Sequence, residues 1–179
     1  MTRSHRLLAL QSMTLGALFA SVVSASADCN DNPGPGLDWS GCMKISKVLA
    51  GYDLHGANFV RADLTRSNFK GANLERADFT KANLTRAILR GANLKGATLA
   101  GASATRAYMD SADLRKANLT KIEFNRVDLS ETDLSDALLN GAQLARADLT
   151  MTRLDRADAR NINLSRAVLT GASLAATNL

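Results

Sequence analysis

Residues 54–94 read LHGANFVRADLTRSNFKGANLERADFTKANLTRAILRGANL. Every fifth position in this stretch is a large apolar residue: Leu54, Phe59, Leu64, Phe69, Leu74, Phe79, Leu84, Leu89 and Leu94. The pattern continues to Leu179, giving 26 consecutive centres, of which only Ala104 and Ala159 are smaller than Leu, Met or Phe. Two residues before each centre after Leu54 stands a small or β-branched residue, most often Ala, as at Ala57, Ala62, Ala72, Ala77 and Ala82. The residue between is often Asp or Asn, as in Ala62-Asp63-Leu64.

A period of five fits neither ordinary element. On a helix each step of five turns ~500°, so the apolar positions would spread around the whole cylinder. On a strand five is odd, and consecutive centres would point to opposite faces. The Ala-, Leu- and Arg-rich composition favours helix by propensity, but periodicity is the stronger signal. The chain must turn a corner about every five residues, with each centre pointing to a shared axis.

Sorting at twenty residues gives the number of sides. Leu54, Leu74, Leu94, Leu114, Leu134, Leu154 and Leu174 form one all-Leu column, and Arg66, Arg86, Arg106, Arg126, Arg146 and Arg166 form an all-Arg column. A period of fifteen fails at once, because Arg66 leads to Lys81 and then Gly96. Four sides of five residues per turn is the reading these columns support. Centres fill the interior, Ala fits the narrow space beside them, and Asn or Asp bonds local backbone at the turns. No coil buries its core alone, so stability comes from stacked neighbours. Ala104 should leave a small gap that Phe124, one coil on, is placed to fill.

The A(D/N)LXX pattern resembles the pentapeptide-repeat family. The resemblance implies an all-β fold, a right-handed quadrilateral β-helix with four pentapeptides per coil. Twenty-six repeats give about six and a half coils. At the ~4.8 Å spacing of stacked strands, the rod is on the order of 30 Å long.

Composition limits the chemistry. The 179 residues are 46% hydrophobic and 22% charged, in the range of a globular protein rather than a disordered chain. Only 2 Cys and 2 His are present. His5 falls in a segment expected to be removed, which leaves His55. This argues against a Ser-His-Asp site, a multi-His zinc site or a Cys-rich cluster. No phosphate-binding Gly motif appears, and no catalytic residue, cofactor or metal is expected. Gly71, Gly91, Gly101, Gly141 and Gly171 fall at corner phases, where Gly eases a turn.

The chain opens with Arg3 and Arg6, an apolar run from Leu7 to Val23, and Ala25-Ser26-Ala27. A charged start, an apolar middle and a small-residue end read as a secretory signal peptide over residues 1–27. Cleavage near Ala27 gives a periplasmic or extracellular mature chain without a transmembrane segment. Loss of the two arginines lowers the formal net charge from +5 to +3.

Solenoid ends expose apolar side chains and unpaired backbone, so they need caps. Residues 28–51 are assigned as an N-terminal cap and first imperfect coil, and residues 52–179 as the repeat β-helix. Two Cys in an exported chain usually pair, so Cys29 and Cys42 are expected to form a disulfide. Lys44 falls in the phase of the centres and breaks the apolar rule. The repeat runs to Leu179 without an evident cap. Leu169, Leu174 and Leu179 are therefore the candidate contact of a symmetric homodimer, an arrangement that related pentapeptide-repeat proteins share.

The Arg column is the sharpest surface feature. Stacked at ~4.8 Å, neighbouring guanidiniums repel by about 1 kcal/mol even in water. Counter-charges are expected from Asp63, Glu123, Asp128 and Asp148. Two readings stand. One is a solvated ladder whose stems cover apolar surface. The other is a docking strip for an acidic protein face, lipid headgroups or an acidic polysaccharide. Asp128, Glu131, Asp133 and Asp136 form a short acidic run that radiates from different sides and reads as solvated surface.

These features favour a non-enzymatic exported scaffold whose partner is an unknown protein or an anionic envelope surface. One alternative comes from the family, some members of which mimic DNA and bind a type II topoisomerase, protecting it from quinolones. Those rods are acidic on the mimicking face and cytoplasmic, whereas this mature chain is basic. The other alternative is a small-ligand module beside the N-terminal cap. Nucleic acid is disfavoured as a partner, because export makes it hard to use and the Phe residues point inward rather than forming stacking platforms.

Overall fold

The computed structural model describes residues 27–179. The expected signal peptide lies outside the described residues up to Ser26. Among the described residues the backbone repeats one motif, a single bridging residue followed by a two-residue turn. Parallel bridges join each bridging residue to the one twenty positions on, from Asp38↔Asn58 to Asp158↔Asn178. Four pentapeptides therefore complete one coil, and each coil lies in register on the next. Phe59 and Phe79, twenty residues apart, stack with ring centroids 4.8 Å apart and planes 19° from parallel. That distance is the normal separation of hydrogen-bonded strands.

The five-residue period follows from where the backbone N–H groups go. Asp63 N–H donates down to Cys42 O at 2.8 Å. Leu64 and Arg66 donate up to Asn83 O and Thr85 O, at 2.8 and 3.0 Å. Ser67 N–H closes the turn onto Leu64 O at 3.0 Å. Only Thr65 N–H lacks a backbone acceptor, and the Asp63 carboxylate takes it at 3.0 Å. A buried or half-buried N–H left without a partner is costly, so Asp or Asn belongs one residue before the centre. Asn58, Asn68, Asp78, Asn83, Asn118 and Asp133 make the same bond to the N–H two residues on.

The corner itself needs a left-handed residue. Every fifth residue from Gly36 to Ala176 has positive φ, between 56° and 71°. With the third turn residue alone in that region, the corner is of type II form. Glycine fills many corners, as expected, but the six arginines of the column occupy others, with φ of 58–61°. L-residues adopt this conformation at a cost of ~1–2 kcal/mol each.

The interior is the column of centres with the small residues beside them. From Leu49 to Ala159 the centres are buried, Ala104 and Phe124 among them. Trp39, Phe59, Phe69 and Phe79 form an aromatic cluster at the N-terminal half, with edge-on contacts of 5.9 to 6.2 Å around the Phe59–Phe79 stack. Polar residues at the small inward position bond a carbonyl of the coil below. Ser67 reaches Lys44 O at 2.7 Å, Thr132 reaches Met109 O at 2.9 Å and Thr152 reaches Leu129 O at 2.7 Å.

The two ends differ. Inter-coil bonding begins at Gly36 N–H to His55 O, 2.9 Å. A disulfide joins Cys29 to Cys42, with Cα atoms 5.6 Å apart. Lys44, the one charged centre, donates from Nζ to Cys29 O and sits 4.3 Å over the Trp39 ring. No coil lies beneath it among the described residues, its long side chain ties the preceding segment across that end, and Trp39 is left only 2% exposed. At the other end Leu169, Leu174 and Leu179 are 37%, 36% and 65% exposed. The N–H groups of Leu164, Arg166, Leu169, Leu174 and Leu179 find no coil above within the described residues.

Candidate interaction surface

Arg66, Arg86, Arg106 and Arg126 line one groove together with Thr65, Thr85, Thr105 and Asn125, enclosing about 460 Å³. The twenty-residue register sets both rows. Each Arg takes the left-handed corner position, which aims its side chain outward, and all six are exposed. The residue before each of Arg66, Arg86, Arg106 and Arg126 is half-buried, so in these four coils one hydroxyl or amide faces the groove.

The expected counter-charges flank this edge without forming ion pairs across it. Among the described residues no carboxylate lies within ion-pair distance of Arg66, Arg86, Arg106, Arg126, Arg146 or Arg166. Asp63, Asp128 and Asp148 are engaged elsewhere. Their carboxylates accept from the N–H and hydroxyl of Thr65, Ser130 and Thr150 at 2.6–3.1 Å. The hydroxyl of Thr150 and its N–H hold the Asp148 carboxyl below the usual carboxylate range. The same turn chemistry that builds the corner thus removes the carboxylates from the arginines. Glu123 is exposed and makes no ion pair among the described residues.

Most arginines off this column are paired, Arg61 being the exception among the described residues. Arg90 meets Asp110 at 2.8 Å, Arg115 meets Asp113 at 2.5 Å, Arg156 meets Asp136 at 2.8 Å and Arg160 meets Asp158 at 2.8 Å. The Arg160 fork, with Asn140 beside it, brings the Asp158 pKa down to about 2. A second groove, of about 270 Å³, is lined by Lys95, Arg115, Lys116, Asp133, Ser135, Asp136, Arg153 and Arg156. It holds five cations and two carboxylates, and its Asp133 and Asp136 are met by Arg153 and Arg156 at 3.8 and 2.8 Å. The acidic run does not converge: Asp133 and Asp136 belong to this groove, Asp128 bonds Ser130, and Glu131 lies 3.4 Å from Ser111 Oγ. His55 bonds Asp53, with Nδ1 3.2 Å from Oδ1, on the surface.

Parallel single-residue bridges at twenty-residue intervals, left-handed corners and inward centres define a four-sided β-solenoid. The family model described as "Pentapeptide repeats" matches the chain in 8 copies, over residues 49–86, 57–96, 87–125, 122–158 and 152–179. The chain belongs to the pentapeptide-repeat family. Among solved structures it is similar to HetL, a pentapeptide repeat protein involved in heterocyst differentiation regulation from the cyanobacterium Nostoc. That match has 26% identity and a TM-score of 0.35, covering 81% of this chain and 88% of that one. It is also similar to QnrB1, a plasmid-mediated fluoroquinolone resistance protein, at 22% identity and TM-score 0.48, covering 82% and 85% of the two chains. A pentapeptide repeat protein from the Arabidopsis thaliana thylakoid lumen matches at 26% identity and TM-score 0.31, over 68% of each chain. No curated protein matches the chain. No helix among the described residues is long and apolar enough to cross a membrane.

Proposed function

We propose that this protein is a non-enzymatic docking scaffold, exported after cleavage near Ala27, that holds an acidic partner along its Arg66–Arg166 edge. The rod is a right-handed β-helix of about six and a half coils over residues 52–179, preceded by a disulfide-bearing cap and first coil over residues 28–51. The partner is an acidic protein or an anionic surface of the cell envelope. One observation carries this reading: six aligned guanidiniums share one edge without a carboxylate partner among the described residues, whereas of the seven other described arginines all but Arg61 have one. A column of like charges without ion-paired carboxylates attracts an external anion. The Cys29–Cys42 disulfide supports export, because such bonds persist in oxidising compartments.

The last coil supports a second contact, between two copies of the chain. Leu169, Leu174 and Leu179 are partly exposed there beside N–H groups that no coil covers among the described residues. An end-to-end dimer would bury both. Sedimentation at micromolar concentration tests it: a dimer that Leu174→Asp converts to monomer is expected, and a monomeric wild type removes this contact.

Site-specific photo-cross-linking in cells tests the docking reading. A benzophenone side chain at Thr105, in the Arg-lined groove, is expected to capture an envelope component. The same group at Thr80, on another corner, is not. Equal capture at both positions contradicts the reading.

A further inference from the structure

We infer that the groove along Arg66, Arg86, Arg106 and Arg126 binds a single extended strand of an acidic polysaccharide, a polymer of uronic acids, lying parallel to the solenoid axis. The inference rests on the docking reading above and narrows it to one occupant.

Spacing is the first argument. The arginines are related by the same twenty-residue step as Phe59 and Phe79, whose rings stack 4.8 Å apart. Guanidiniums therefore recur along the edge at about one strand spacing. A linked pyranose ring advances a sugar chain by a comparable distance, so the carboxylates on the groove side of the chain fall near whole multiples of the guanidinium spacing. The planar fork of Arg suits a carboxylate better than a point charge does. The phosphates of duplex DNA recur more densely, at ~1.7 Å along the axis counting both strands, and fall out of step with this column.

Chemistry of the groove is the second argument. Thr65, Thr85, Thr105 and Asn125 add one hydroxyl or amide per coil beside the charges. These groups both donate and accept, as sugar hydroxyls do. Thr methyls and Arg stems supply an apolar floor for the C–H faces of the rings.

Width is the third. The two faces that meet at this edge carry Asp63 and Glu123 on one side and Asp128 and Asp148 on the other, at outward bridging positions. A flat anionic membrane or a broad acidic protein face laid over the edge would press against those carboxylates. A narrow chain confined to the groove avoids them.

Calorimetric titration of the full chain with a galacturonate hexamer tests this. Dextran serves as the neutral control, and phosphatidylglycerol vesicles and polyglutamate as competing anions. The hexamer is expected to bind and dextran not to. Replacing Arg86, Arg106 and Arg126 by Ser is expected to weaken binding on the order of tenfold, three exposed ion pairs being lost. Replacing Arg61, Lys81 and Lys121 by Ser removes the same charge from a neighbouring corner and is expected to change little. The pair Thr85→Val and Thr105→Val keeps every charge and is expected to weaken binding as well, which guards against misfolding of the Arg variant. Equal loss in both charge variants means net charge alone is at work and overturns the site. Vesicles or polyglutamate binding through the Arg column, with no hexamer binding, overturns the polysaccharide and leaves the docking strip standing. Binding by none of the probes overturns the inference, and photo-cross-linking at Thr105 then decides the docking reading separately.

Discussion

Thr65 N–H donates to Asp63 Oδ1 across 3.0 Å, and the Thr65 hydroxyl adds a second bond to the same oxygen at 2.6 Å. This pair closes the hydrogen bonding of one side of the square. Asp63→Ala leaves the Thr65 N–H without its acceptor and is expected to cost ~1 kcal/mol. Asp63→Asn keeps an acceptor in place and is expected to cost less. Urea unfolding midpoints of the two variants check the order.

Gly91 has φ of 60°, and a Cβ added there meets nothing within 4 Å. Gly91→Ala therefore isolates the cost of the left-handed corner, expected at ~1–2 kcal/mol. Arg86, at φ 59°, already carries that cost. Arg86→Gly is expected to leave thermal stability unchanged or raise it. A fall in melting temperature for Arg86→Gly equal to that for Gly91→Ala contradicts the account of the corners.

Leu94 is fully buried in mid-stack, whereas Leu179 is 65% exposed in the last coil. Leu94→Ala is expected to cost ~2–5 kcal/mol, since stacked coils above and below hold the cavity open. Leu179→Ala removes little burial from the isolated chain and is expected to change stability by less than ~0.5 kcal/mol. Thermal unfolding of both variants at low protein concentration measures the contrast.

Asp113, Asp136, Asp155 and Asp158 are held below the ordinary carboxylate value of 3.8, chiefly by bonds from Arg115, Arg156, Ser173 and Arg160. Unfolding restores their ordinary affinity for protons, so the unfolded chain binds more protons below about pH 4. Their stabilisation is complete above pH 4 and is lost as the pH falls toward about 2, where Asp158 titrates. The urea midpoint is expected to stay level from pH 7 to pH 5 and to drop between pH 4 and pH 2. A drop already complete at pH 5 contradicts this assignment.

Much of the architecture was legible because identical side chains do identical work in every coil. The five-residue spacing of Leu54, Phe59 and Leu64 requires a corner, and the all-Leu and all-Arg columns require four of them. The Asp63 type of position was legible as a turn acceptor, because short polar side chains reach only nearby backbone. The left-handed backbone at Arg66 and its column was not, since that conformation usually announces itself by Gly or Asn. The role of Lys44 was hidden too. Its partner, the Cys29 carbonyl, comes within reach only across the end of the first coil. Counter-charges were expected for the Arg column from nearby acids in the sequence. The turns claim Asp63, Asp128 and Asp148 first, and no reading of spacing alone ranks a backbone N–H above a guanidinium.

The central claim is that the unpaired Arg edge is the docking surface. Capture from cell-envelope extract tests it most directly, using purified protein and a variant with Arg86, Arg106 and Arg126 changed to Ser, both checked to unfold at the same temperature. The account predicts one component retained by the wild type and lost by the variant. Retention of the same component by both proteins would contradict it and return the arginines to a solvated ladder.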